Sequence, residues 1–193
     1  MNIKKNVVVT GCCGFIGFSL SQELLNNKNI KVIGLDTIND YYDVNLKKQR
    51  LKLLKQNKNF QFKKVDIKNY NLLKKIFYKD KIDIIYNFAA QAGVQYSIKN
   101  PKKYMDSNCM GFFNILELAR KSGVKTIFYA SSSSVYGDSK KFPVKENFDL
   151  KPKNFYGFSK KANEEMAEIY SRYYGIKTIG LRFFTVFGPW GRP

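Results

Sequence analysis

Short runs of β-branched and aromatic residues alternate with helically spaced stretches along almost the whole chain, and this alternation constrains the fold more than any other feature. The first run, Val7 to Val9, ends at Thr10-Gly11, and from Phe15 to Leu25 the apolar positions take helical spacing. Further strands are expected at Ile30 to Leu35, Phe60 to Val65, Ile82 to Phe88, Thr126 to Ala130 and Lys177 to Leu181. Helices are expected between them at Tyr42 to Leu54, Tyr70 to Tyr78, Pro101 to Lys121 and Ser159 to Tyr174. A strand, a helical crossover and a second strand bring the chain back parallel to itself. The expected fold is therefore α/β, a doubly wound parallel sheet with helices on both faces. The longest stretch without a periodic pattern, Gly137 to Asn154, contains Pro143 and Pro152 and is expected to be a functional loop.

With 34 Lys+Arg against 15 Asp+Glu and no histidine, the net charge is +19. The apolar content of 44% and aromatic content of 16% nevertheless set the chain apart from disordered polyelectrolytes, and 193 residues bury enough surface for one domain. A basic excess raises the question of a nucleic-acid or membrane partner. Arginine is confined to Arg50, Arg120, Arg172, Arg182 and Arg192, while lysine and asparagine are spread along the whole chain, as in Asn26 to Asn29 and Lys55 to Asn59. That distribution describes solvated faces, and neither nucleic acid nor membrane is expected as a partner. Cys12, Cys13 and Cys109 lack the spacing of a disulfide framework or a zinc site, so no metal and a reduced, cytoplasmic setting are expected. No apolar run is long enough for a signal peptide core or a membrane span.

The chemistry concentrates in two places. Gly11, Gly14 and Gly17 stand three apart between the first strand and the first helix, where a βαβ unit holds a pyrophosphate. Gly11 permits the tight turn, Gly14 lets backbone N–H groups approach phosphate, and Gly17 lets the helix lie close to the strand. Asp36, at the end of the second strand, suits an adenosine ribose and would repel the extra phosphate of NADP, which favours NAD; a helix cap is the alternative. Asp66 reads equally as an adenine-side contact or a cap.

The second place is Ala130-Ser131-Ser132-Ser133-Ser134-Val135-Tyr136-Gly137 at the end of a strand, followed by Tyr156 and, four residues later, Lys160. On a helix that spacing puts both side chains on one face. A cation within about 4–6 Å lowers the pKa of a phenol by roughly one to three units, enough for Tyr156 to take a proton from a substrate hydroxyl. Ser132 would orient that hydroxyl.

These segments, together with Asn39-Asp40-Tyr41-Tyr42-Asp43, Asn87 to Val94 and Leu181 to Pro193, resemble the extended short-chain dehydrogenase/reductases. Within them the chain is most similar to the NAD-dependent nucleotide-sugar epimerases, above all the UDP-glucuronate 4-epimerases. The resemblance implies a Rossmann-like domain over residues 1–180, with 181–193 beginning a C-terminal substrate-binding region that is otherwise missing. It implies that Ser132, Tyr156 and Lys160 are catalytic. It also implies an NAD site drawn from Gly11, Gly14, Phe15, Ile16, Gly17, Asp36, Asn39, Asp66 and Ile67, with Phe88, Ala89, Ala90, Asn108, Tyr156 and Lys160. A UDP-sugar would meet Gln91, Ser132, Ser133, Tyr156, Thr185 and Arg192. Tyr156 would deprotonate the 4-hydroxyl while hydride passes to NAD, and the keto sugar would receive the hydride back on its other face. Cell-surface polysaccharide supply and a homodimer formed through a helix pair are further implications.

Related uronate epimerases carry arginine where this chain has Gln95, which leaves UDP-glucose or UDP-N-acetylglucosamine as alternatives. Related dehydratases place acidic residues where Ser133 and Ser134 stand, which favours epimerisation. A one-way dehydrogenase and a non-catalytic nucleotide-binding module are the remaining readings.

Overall fold

A computed structural model describes residues 5–139 and 141–191. Six parallel strands, β1 (Lys5–Thr10), β2 (Ile30–Asp36), β3 (Phe60–Lys64), β4 (Ile84–Asn87), β5 (Thr126–Ser132) and β6 (Lys177–Phe183), form one sheet in the order β3-β2-β1-β4-β5-β6. The order reverses between β1 and β4. In such a sheet the strands on either side of that point lead their connections to opposite faces, which leaves a crevice at their carboxyl ends.

Helices α1 (Phe15–Leu25), α2 (Val44–Leu54), α3 (Tyr70–Lys79), α4 (Val94–Lys99), α5 (Pro101–Tyr104), α6 (Gly111–Ser122) and α7 (Phe155–Tyr174) flank the sheet. Side chains alternate across each strand, so the sheet feeds two cores. Val8, Ile33, Ile85 and Ile127 pack with Leu73 and Phe77 of α3, Phe112 and Ile115 of α6, and Ala167 and Tyr170 of α7. Val7, Val9 and Val32 pack on the other face with Phe18 of α1 and Leu51 and Leu54 of α2. On that second face Tyr86 and Phe128 stack at 4.7 Å and remain half-buried.

The doubly wound parallel sheet matches the expectation, and most boundaries shift by a few residues. Strand β1 reaches back to Lys5, while β4 is shorter than expected because pairing with β1 starts at Ile84. The helix expected over Pro101 to Lys121 is interrupted: Met105–Met110 forms a π turn between α5 and α6. Helix α4, ahead of it, was not expected. Helix α7 begins at Phe155 rather than Ser159, because the Asn154 side chain accepts from the Gly157 N–H at 2.8 Å and caps it there. Strand β6 continues to Phe183, two residues beyond the expected Leu181.

Candidate active site

The crevice at the switch point begins with a bridge between its two strands. Thr10 at the end of β1 donates from Oγ1 to Asn87 Oδ1 at 2.8 Å and accepts from the Ala89 N–H at 3.0 Å. Next to it Gly11 turns with φ 71°, and a Cβ there would lie 2.8 Å from the Ala89 nitrogen. A Cβ on Gly17 would lie 2.2 Å from the Gly11 carbonyl oxygen, so α1 rests directly on the turn. The N-terminal N–H groups of α1 thus face open space beside two strand ends, a ready anion site. Cys12 and Cys13 are buried as the small residues this packing needs.

Asp36 ends β2 alongside. Its carboxylate accepts from the Cys13 N–H at 2.9 Å and the Ile38 N–H at 2.7 Å, which holds the glycine turn and still leaves lone pairs toward the cleft. Cys12, Cys13 and Asp36 offer ligand atoms within 4.8 Å of one another, and those two N–H bonds account for the carboxylate's place among them. Burial pushes the Cys12 thiol well above its usual pKa. Asp66 accepts from the Lys68 N–H at 2.9 Å, as a capping residue would, and also borders the cleft.

On the opposite wall, Lys160 of α7 is buried to 3% exposure. Its ammonium donates to the Ala130 carbonyl at 2.7 Å and lies 5.9 Å from the centre of the Tyr156 ring. Burial lowers its pKa to about 8. Ser132, buried at the end of β5, accepts from the Ser134 N–H at 3.2 Å and keeps its own hydroxyl proton to donate. Tyr156, Lys160 and Ser132 all border one cleft of about 1150 Å³, larger than the roughly 300–1,000 Å³ of an ordinary small-molecule site. Gly11, Gly14, Phe15, Ile16, Gly17, Asp36, Asn39, Asp66 and Ile67 line it too, as do Phe88, Ala89, Ala90, Gln91, Ser133 and Thr185.

One of the expected residues stands elsewhere. Asn108 is buried behind the wall: its amide accepts from the Gln91 N–H at 2.8 Å and donates to the Gln91 carbonyl and to Ser159 Oγ, holding the loop after β4 against α7. Arg192 lies outside the described residues. Gln95 is exposed and does not border the cleft.

Some supporting residues carry no local sequence signal. Glu164 is a bidentate partner of Arg182 at 2.9 and 2.8 Å and accepts from Ser131, while Arg182 also donates to Tyr136 and to the Glu146 carbonyl. The only hint was spacing, since Glu164 follows Lys160 by the same four residues that separate Lys160 from Tyr156. Tyr104, whose hydroxyl contacts the Ala92 and Gly93 carbonyls and whose ring lies 6.1 Å from that of Tyr156, braces the wall from below.

A family model described as GDP-mannose 4,6 dehydratase matches residues 8–192. The chain belongs to this family. Among curated relatives, Protein CapI of Staphylococcus aureus is 50% identical over 189 residues, covering 97% of this chain and 56% of that protein. UDP-glucuronate 4-epimerase 2 of Arabidopsis thaliana is 44% identical over 190 residues, 97% of this chain and 43% of that one. Among solved structures, UDP-glucuronic acid 4-epimerase from Bacillus cereus, in complex with UDP-glucuronic acid and NAD, superposes with a TM-score of 0.91 at 34% identity, covering 97% of this chain and 59% of that one. UDP-glucose 4-epimerase from Thermotoga maritima, with UDP-glucose, gives a TM-score of 0.86 at 31% identity, covering 95% of this chain and 57% of that one. The chain spans about half the length of the curated relatives it matches.

Proposed function

We propose that this chain forms the NAD-binding part of a UDP-sugar 4-epimerase that interconverts UDP-glucuronate and UDP-galacturonate. The observation that carries this reading is the buried Lys160, one helical turn after Tyr156 and bonded to the strand that ends in Ser132. The residues present fit a dinucleotide. The Gly11 and Gly17 approaches admit no Cβ, the helix N-terminus suits a pyrophosphate, and Asp36 offers free lone pairs where an adenosine ribose would lie. When bound, NAD would supply a hydride acceptor and donor for the sugar C4.

The chain's own side chains would do the rest. Tyr156 takes the proton of the sugar hydroxyl, Lys160 favours the phenolate by its charge, and Ser132 donates a hydrogen bond to the same oxygen. Gln91, Ser133 and Thr185 border the sugar side of the cleft, and Arg192 is assigned to it by resemblance alone. In the same proposal residues 1–180 hold the cofactor and 181–193 begin the sugar-nucleotide side. The protein works in the cytoplasm in polysaccharide supply, and two copies associate through α6 and α7, where Phe113, Ile169 and Tyr173 are exposed. No described helix is long and apolar enough to cross a membrane.

A second reading is favoured by the chain's share of its relatives' length: alone it holds NAD without turning over sugar. The test is to release small molecules from the purified protein by heat and identify them by mass spectrometry, then to assay UDP-glucuronate, UDP-glucose and UDP-N-acetylglucosamine with no added cofactor. Retained NAD with turnover of UDP-glucuronate is the expected result. Retained NAD without turnover supports the second reading, and a preference for another sugar corrects the substrate. A chain that neither retains nor binds NAD overturns both readings.

A further inference from the structure

Arg50 of α2 is completely buried, and among the described residues it has no carboxylate within ion-pairing distance. Its donors go to neutral oxygens instead: the Cys13 carbonyl at 3.0 Å, the Tyr42 hydroxyl at 2.6 Å, and the Trp190 and Gly191 carbonyls at 2.5 and 3.3 Å. Its Nε is buried with no partner. An unpaired buried cation is costly, and a hydrophobic residue of similar volume would serve packing better. The groups that Arg50 holds suggest why the charge is kept.

Cys13 lies in the turn between Gly11 and Gly14. Its N–H is held by the Asp36 carboxylate and its carbonyl by Arg50, so one residue of the anion-binding turn sits between an acid and a base. The other two carbonyls belong to the segment that follows β6, about 140 residues away in sequence. That segment is wound in a conformation a side-chain-bearing residue does not favour by itself, with φ 62° at Trp190. Apart from Arg50, it is anchored by the Trp190 ring on Phe18 of α1 at 5.8 Å. A single guanidinium therefore grips the turn on one side and the far segment on the other.

We propose that Arg50 is a positioning residue that couples dinucleotide binding at the glycine turn to docking of the segment around Trp190 and Gly191. The proposal rests on the cofactor reading above. A dinucleotide pyrophosphate at the N-terminus of α1 brings the negative charge that Arg50 lacks. It thereby lowers the cost of the buried cation in the arrangement where the segment is docked. Linkage then requires that docking strengthen dinucleotide binding by the same factor.

The experiment uses the 193-residue chain, with NAD as the probe. Hydrogen exchange of a peptide spanning residues 184–191 is followed with and without NAD, and NAD affinity is measured by calorimetry, for the wild type, Arg50→Met, Arg50→Lys and Trp190→Ala. NAD should slow exchange in that peptide in the wild type, and Arg50→Met should abolish the slowing while its thermal midpoint holds or rises. Its NAD affinity should fall on the order of tenfold, a typical size for such coupling, with Arg50→Lys between the two. Trp190→Ala, which loosens the segment and keeps the Arg50 side chain, should weaken NAD as well. A purely structural Arg50 would lower stability and leave the NAD-dependent slowing intact, and that result overturns the proposal. Should Arg50→Met fail to fold, Trp190→Ala decides: unchanged NAD affinity there overturns it. A wild type that does not bind NAD overturns the cofactor reading and the coupling together, whereas binding without coupling overturns the coupling alone.

Discussion

The Lys160 ammonium donates to the Ala130 carbonyl oxygen at 2.7 Å, and this bond ties the helix that carries Tyr156 to the strand that ends in Ser132. One buried cation thus sets the distance between the expected proton acceptor and the group expected to orient its substrate. Replacing Tyr156 should separate chemistry from binding. Tyr156→Phe should lower any UDP-sugar epimerisation by about 10²- to 10⁴-fold, the range for a positioned acid–base group, and leave NAD retention within about twofold. Comparable rates in the two proteins would remove Tyr156 from the chemistry.

Burial places the Lys160 pKa at about 8 in the folded chain, against 10.5 for a free lysine. The folded state therefore sheds this proton first, and between those values the unfolded chain binds more protons. Stability attributable to Lys160 should rise from pH 8 to pH 10.5, worth about 3 kcal/mol in full, and be lost as pH falls through 8. Urea titrations across this range should show that slope in the wild type and not in Lys160→Met. The same slope in both proteins would place the titration elsewhere.

Gly17 and Gly123 offer a controlled pair. An alanine Cβ at Gly17 meets the Gly11 carbonyl oxygen at 2.2 Å, a backbone atom that cannot step aside, whereas at Gly123, with φ 77°, nothing lies within 4 Å. Gly17→Ala should cost roughly 2–3 kcal/mol and abolish NAD binding, since the turn must open. Gly123→Ala should cost only about 1–2 kcal/mol, for its left-handed backbone, and leave binding unchanged. Melting curves and NAD titrations of the two variants check this, and equal NAD affinity in both would show that the close packing of α1 on the turn is dispensable.

The Asp36 carboxylate holds the Cys13 and Ile38 N–H groups, so Asp36→Asn keeps the shape of the side chain and removes its charge. NAD affinity should drop on the order of tenfold, as for loss of a charge-assisted hydrogen bond, and the preference for NAD over NADP should narrow. Calorimetric titration with each dinucleotide measures both. An unchanged ratio would confine Asp36 to holding the turn.

What the sequence disclosed follows from how local each determinant is. Val7 to Val9 before Gly11, and Tyr156 before Lys160, declare themselves within one turn or strand, because strand alternation and helical spacing are short-range patterns. The strand ends Thr10, Asp36 and Ser132 could be placed at one edge from the parallel topology alone. Arg50 could not be read this way. It stands among the lysines of α2, and its partners Cys13, Tyr42 and Trp190 come from three separate stretches of the chain. Asn108 was assigned to the cofactor site by resemblance, and its amide is spent on the Gln91 backbone and Ser159, partners that no local pattern announces. Glu164 and Arg182 meet only because β6 pairs with β5 beneath α7.

The π turn at Met105–Met110 also has a geometric effect. One extra residue in a helical turn rotates everything after it by about 100° relative to everything before it. The rod from Pro101 to Ser122 therefore presents two independently aimed faces: Tyr104 and Asn108 turned toward the loop after β4, and Phe112, Ile115 and Leu116 turned into the sheet core. Deleting a single residue between Tyr104 and Gly111 would restore regular winding and bring these faces out of phase with their partners. The cleft wall and the hydrophobic core would then compete for the same helix, so length in this short stretch should be less tolerant of change than residue identity.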